Sequence, residues 1–91
     1  QHVRALTLRA LNDLAQNDTS RALVSAERAC ALSAANDDLT SAIRSAAHEA
    51  RALALKAAGQ AEEAVAEFAA LAAEDALSPR ARRQYAAALA D

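Results

Sequence analysis

Apolar residues recur at helical spacing along almost the whole chain. Positions three and four apart fall on one face of a helix, so each run predicts an amphipathic helix that buries one stripe against a neighbour. In the first run the predicted inward residues are Leu6, Leu8, Ala10, Leu11, Leu14 and Ala15. In the next three runs they are Ala22, Leu23, Ala26, Ala29, Cys30 and Ala34; Leu39, Ile43, Ala46, Ala50, Leu53 and Ala57; and Ala61, Ala64, Val65, Phe68, Leu71 and Ala72.

Four short segments interrupt these runs, at residues 16–18, 36–38, 59–60 and 77–79. Asn and Asp accept hydrogen bonds from the free N–H groups at helix starts, while glycine closes a helix end. Ser78 followed by Pro79 is a typical helix start, because proline tolerates the first helical position. The breaks predict about five helices, and such short connections make successive helices antiparallel.

The composition supports an all-α fold. Alanine occupies 30 of the 91 positions and leucine 12, whereas the chain has one Phe, one Tyr and no Trp. Alanine is the strongest helix former, and its small side chain suits closely approaching helices. We therefore expect thin helical layers. A chain that begins at Gln1 is also expected to be part of a longer protein.

The sequence contains a weak internal repeat. A shift of 42 residues aligns Asn17 with Gly59, and it then matches Ala22 with Ala64, Leu23 with Val65 and Ala29 with Leu71. This alignment predicts two helical hairpins with a common plan, at residues 3–35 and 39–75. A third unit is expected to begin with the helix at residues 78–90.

The segment around the single glycine resembles the tetratricopeptide repeat family. In that family a Gly ends the first helix, a small residue follows five positions later and an aromatic residue nine positions later, as Gly59, Ala64 and Phe68 do here. Ala52 and Leu55 match the small and large positions upstream of the glycine. The resemblance implies a short right-handed α-solenoid of stacked antiparallel hairpins.

The resemblance extends to the last helix, where Tyr85, Ala86 and Leu89 recur 34 positions after Arg51, Ala52 and Leu55. The chain departs from the pattern at His48 and Arg51, which occupy positions that are usually large and apolar. Its 42-residue spacing is more similar to the longer repeats in signalling arms of bacterial transcription regulators. A plain alanine-rich helical bundle is the alternative fold.

The family resemblance also implies a concave groove lined by the first helix of each unit. Carried over to this chain, the groove residues are Glu49, Leu53, Lys56, Arg80 and Arg83. The two arginines stand near a helix start, where cations oppose the helix dipole, so helix stability does not explain them. We expect them to bind an acidic or C-terminal peptide. A DNA-recognition helix is the weaker alternative, because a net charge of −2 lacks the basic character of proteins that bind nucleic acid directly.

Residues that could carry other chemistry are few. His2 and His48 are isolated and Cys30 has no partner at ligand spacing, so no metal or cofactor is expected. Cys30 should be a buried thiol among alanines, and His48 should belong to a solvated polar stripe with Arg44 and Arg51. Three glutamates of the fourth helix are expected on its outer face: Glu62, Glu63 and Glu67.

These features favour a non-catalytic module for protein–protein interaction within a larger bacterial regulatory or scaffold protein. A structural or dimerising helical spacer of a transcription regulator is the alternative, with self-association through exposed terminal helices. No apolar run approaches the roughly 20 residues needed to cross a membrane. A cytoplasmic location is therefore expected.

Overall fold

The computed structural model describes residues 2–35, 41–74 and 77–90. Within these residues the chain is helical and contains no strand. The five helices are α1 (His2–Ala15), α2 (Thr19–Ala35), α3 (Ser41–Ala57), α4 (Ala61–Ala73) and α5 (Pro79–Ala90). The predicted break at residues 36–38, the predicted start of the third helix at residue 39 and the predicted end of the second hairpin at residue 75 lie outside the described residues.

Successive helices run antiparallel, as predicted. Val3 at the start of α1 shares a core cluster with Cys30 near the end of α2, and Ala61 and Glu62 at the start of α4 line one cavity with Ala88 and Leu89 at the end of α5. Helix α3 contacts all four other helices, while α2 and α4 pack on α3 without packing on each other. The described chain measures 36 × 29 × 19 Å. Helix α3 therefore forms the centre of the fold.

The turns after α1 and α3 have the same structure. Asn17 has φ +62° and Gly59 has φ +84°, so both adopt the left-handed conformation. Each donates its N–H to the carbonyl three positions back, at 3.0 Å for Asn17 and 3.1 Å for Gly59, and the following residue donates to the carbonyl five positions back, at 2.8 and 2.9 Å. This pair of bonds is the Schellman motif, which satisfies the last carbonyls of a helix. Gly59 thus has its predicted role.

The burial pattern also follows the 42-residue shift in α2 and α4. Ala22 and Ala64 are both fully buried, and Ala29 and Leu71 are both buried. Phe68, at the centre of the largest core cluster, corresponds to the fully buried Ala26. The two hairpins therefore share turn geometry and register, with a large ring in the second hairpin where the first has a methyl group.

The predicted inward stripes are wrong at several positions. Leu8 is 59 % exposed, while Thr7 on the neighbouring face is buried and donates its hydroxyl to the carbonyl of Val3 at 2.8 Å. Ser25, a polar residue on α2, is also buried. In alanine-rich helices nearly every face is apolar enough to pack, so close approach between helices selects the face. The residues predicted inward and found exposed are Leu8, Ala15, Ala34, Ala46, Ala57 and Ala72.

The repeat positions of the family pattern divide into two groups. Ala52, Leu55, Ala64 and Phe68 are buried together in one core cluster. In the last helix Tyr85 is half-buried, whereas Ala86 and Leu89 are exposed. The buried positions of α5 are instead Ala81 and Ala88. The 34-residue register predicted for α5 therefore does not describe its packing.

Candidate functional site

Three of the five predicted groove residues line one cavity. Leu53 and Lys56 project from α3, and Arg80 projects from the first turn of α5. The cavity has a volume of about 310 Å³ and lies where the end of α1 meets α3 and α5. Its remaining lining residues are Leu11, Leu14, Ala15, Ala57 and Gln84.

The local sequence explains why Arg80 reaches this place. Ser78 accepts the N–H of Ala81 on its hydroxyl at 3.1 Å and so caps α5, as predicted. The backbone N–H of Ser78 in turn donates to a carboxylate oxygen of Glu49 on α3 at 3.2 Å. This bond fixes the start of α5 against α3. Glu49, predicted to line the groove, therefore positions the helix that carries Arg80.

The remaining predicted groove residue, Arg83, is exposed on α5 and does not line the cavity. The structure therefore brings together Leu53, Lys56 and Arg80, and leaves Arg83 outside the cavity. Both arginines are near the start of the same helix, and only one of them faces the α1 and α3 side chains.

The lining of this cavity combines apolar surface with positive charge. Leu11, Leu14 and Leu53 provide the apolar surface, and Lys56 and Arg80 are its charged residues. The described lining includes no acidic side chain. A ligand that fits this lining presents apolar groups to the leucines and a carboxylate or other anion to the cations.

A second polar cluster connects α2, α3 and α4. Nδ1 of His48 lies 2.5 Å from a carboxylate oxygen of Glu67, whose other oxygen accepts a hydrogen bond from Arg51 at 3.3 Å. The side chain of Glu67 is only 16 % exposed. The prediction of an outward Glu67 is therefore wrong. The predicted solvated stripe of His48 and Arg51 is only partly exposed, because these side chains pair with Glu67 across the α3 and α4 interface.

The thiol of Cys30 lies next to this cluster but is poorly suited to catalysis. Its Sγ is 3.7 Å from Nδ1 of His48 and donates to the carbonyl of Ala47 at 3.4 Å. The same Nδ1 faces Glu67, so a proton held between His48 and Glu67 leaves no lone pair to accept the thiol proton. Burial, with a further contribution from Glu67, raises the pKa of Cys30 to about 11. The thiol is thus buried, as predicted, and it is protonated near neutral pH.

The polar residues of α3 contain a sequence signal for this cluster. His48 and Arg51 stand three residues apart on α3, at positions that the repeat pattern predicts to be large and apolar. Polar residues at such positions need a partner from that helix, and Glu67 directly precedes the buried Phe68 on α4. Among the described residues no group of three or more His, Cys, Asp or Glu side chains could hold a metal ion.

No described helix has the length and apolar character needed to cross a membrane. Comparison with protein-family models, curated proteins and solved structures finds no match to this chain. The tetratricopeptide resemblance therefore rests on the sequence positions named above and stays a prediction.

Proposed function

We propose that this chain is a non-catalytic protein-binding module whose cavity between α1, α3 and α5 accepts an acidic peptide segment of a partner. The observation that supports this proposal is the lining of the cavity, with three leucines, two cations and no acidic residue in its described part. Carboxylates bind arginine through paired hydrogen bonds, and the leucines provide apolar contact for a neighbouring side chain.

The arrangement of the helices supports the same proposal. Helix α3 packs against both α1 and α5, which is consistent with a stack of hairpins whose first helices lie side by side. The cavity lies along that row of helices. We therefore propose a short tetratricopeptide-like solenoid that belongs to a larger regulatory or scaffold protein, with the cavity as part of its concave surface.

A dimerising spacer remains the second candidate. Four large apolar side chains are exposed on the described chain: Leu8, Val24, Leu32 and Leu89. Exposed apolar residues favour association with another chain when they form a continuous patch. They lie on α1, α2 and α5, and self-association through them is the alternative to peptide binding.

The proposal is tested by titrating a synthetic peptide of alternating leucine and glutamate, with a free terminal carboxylate, at two salt concentrations. Lys56→Gln and Arg80→Gln should each weaken binding about tenfold, because each removes a charge-assisted hydrogen bond. Both changes should also reduce the salt dependence of the affinity. Arg80→Gln should leave stability unchanged or raised, because a cation near a helix start is unfavourable.

Two arginines provide matched controls. Arg83→Gln makes the same change on the same helix outside the cavity, so its effect should be small and confined to low salt. Arg4→Gln removes an exposed arginine at the other end of α1 and should have no effect. Equal weakening by Arg4→Gln and Arg80→Gln would show unspecific electrostatic attraction and refute the site. No binding, together with a stable dimer by analytical ultracentrifugation, would favour the spacer.

A further inference from the structure

A second cavity, of about 440 Å³, lies between α1 and α2 and includes no residue of α3 or α5. It is therefore separate from the proposed peptide groove. Arginines from both helices contribute to it, together with one carboxylate, two serines and two aliphatic side chains. The lining residues are Leu6, Arg9, Asp13, Ser20, Arg21, Val24, Ser25 and Arg28.

Asp13 is the unusual member of this lining. Its residue surface is only 8 % exposed, and its Oδ2 atom is buried with no hydrogen-bond partner among the described residues. An unpaired buried carboxylate oxygen is costly, because it loses its hydration without a replacement. Asp13 lines the cavity, so a hydrogen-bond donor of a ligand that reaches its carboxylate would reduce this cost.

The arginine side chains that line the cavity with Asp13 are available to bind a ligand. The exposed side chains of Arg9 and Arg28 form no ion pair or hydrogen bond within the described part of the chain. Arg21 has only an exposed pair with Asp18, at 3.6 Å. Arg9 stands four residues before Asp13, a spacing that allows pairing on a helix, yet the two side chains do not pair. The cavity thus presents separate positive groups and one unpaired carboxylate oxygen.

We propose that this cavity binds a small acidic α-amino acid, with its ammonium group on the carboxylate of Asp13 and its two carboxylates on Arg9 and Arg28. A plain dicarboxylate would pair with the arginines but would leave Asp13 without a donor. A simple amine would pair with Asp13 but would be repelled by the three arginines. The volume lies within the roughly 300 to 1,000 Å³ of small-molecule sites. This inference does not depend on the proposed peptide groove.

Calorimetric titration with L-glutamate and with glutarate tests the proposal, since the two molecules differ in the ammonium group. At low ionic strength the wild-type chain should bind glutamate about tenfold more tightly than glutarate, the effect expected for one charge-assisted hydrogen bond. Equal affinities, or no measurable binding of glutamate, would overturn the proposal. This comparison uses only the wild-type chain and so needs no substitution to fold.

Substitutions then assign the groups. Asp13→Asn should abolish the preference for glutamate while leaving glutarate binding intact, because the arginines remain. Arg9→Gln and Arg28→Gln should each weaken both ligands about tenfold. Arg4→Gln, on α1 outside the cavity, is the control and should change neither affinity. A preference for glutamate that survives in Asp13→Asn would contradict the assigned role of Asp13.

Discussion

Two leucines allow one chemical change to be compared in opposite environments. Leu55 on α3 is 2 % exposed and belongs to the main core cluster, whereas Leu89 on α5 is 59 % exposed. The family pattern assigns both to the same structural position, and the structure does not. Replacing each with alanine therefore tests the register of α5 as well as the core.

The expected magnitudes follow from burial. Full burial of a leucine side chain contributes about 1.5 to 3 kcal/mol, and Leu89 is about two-fifths buried, so Leu89→Ala should cost at most about 1 kcal/mol. Leu55→Ala also leaves a cavity in a packed interior, which raises the expected cost to about 2 to 5 kcal/mol. The free energy of unfolding of a domain of 91 residues is on the order of 5 to 14 kcal/mol, so the Leu55 effect should be large.

Urea unfolding followed by far-ultraviolet circular dichroism measures both changes. Tyrosine fluorescence offers a second probe, because Tyr85 is the only Tyr in a chain without Trp and its ring centre lies 5.8 Å from that of Phe68. The slope of the free energy against urea should stay the same in both variants, since the exposed surface of unfolding changes little. Equal losses for Leu55→Ala and Leu89→Ala would refute the packing described for α5.

The turns and the thiol lead to two further predictions. Gly59→Ala should lower stability by about 1 to 2 kcal/mol in thermal unfolding, because φ is +84° although the added Cβ would meet no atom within 4 Å. Asn17→Gly should change stability little, and a Gly59→Ala variant as stable as wild type would contradict the left-handed turn. The raised pKa of Cys30 means that the folded state favours the protonated thiol. The contribution of this thiol to the free energy of unfolding is therefore present below about pH 9 and declines between pH 9 and about 11. Cys30→Ala should remove that part of the pH dependence in urea titrations at several pH values, and an unchanged pH profile would count against a buried thiol.

Turns were predictable from sequence because their chemistry is local. Gly59 and the Ser78–Pro79 pair act through their own backbone conformation and through neighbours a few residues away. The 42-residue shift also correctly paired Asn17 with Gly59, because asparagine is the residue that most readily replaces glycine in the left-handed region. Five helices and their antiparallel order followed from these turns.

Helix faces were predicted less well, for a physical reason. Where most positions are alanine, many stripes have similar hydrophobicity, and the closest approach of two helices decides which one is buried. Leu8 consequently lies outside while Thr7 lies inside with its hydroxyl satisfied by its own helix. Amphipathic pattern alone does not contain the information needed to choose between such faces.

The candidate site was predicted in part. Leu53, Lys56 and Arg80 were placed in one groove through the family resemblance, and the structure gathers them around one cavity. Glu49, in contrast, was assigned to the lining although it holds the start of α5. Its role depends on a contact between residues 29 positions apart, which helical spacing within one segment does not indicate.

The central position of α3 also determines how the chain shares its stability. Stacked repeats often unfold in stages, because each unit contacts only its neighbours. Here a local unfolding that displaces α3 removes packing surface from the other four helices at once. We therefore expect α1 to α4 to unfold as one cooperative unit. Helix α5 packs only on α3 and α4 and can separate without disturbing the first hairpin. We therefore expect α5, the helix that carries Arg80, to open at the lowest free energy of the five described helices.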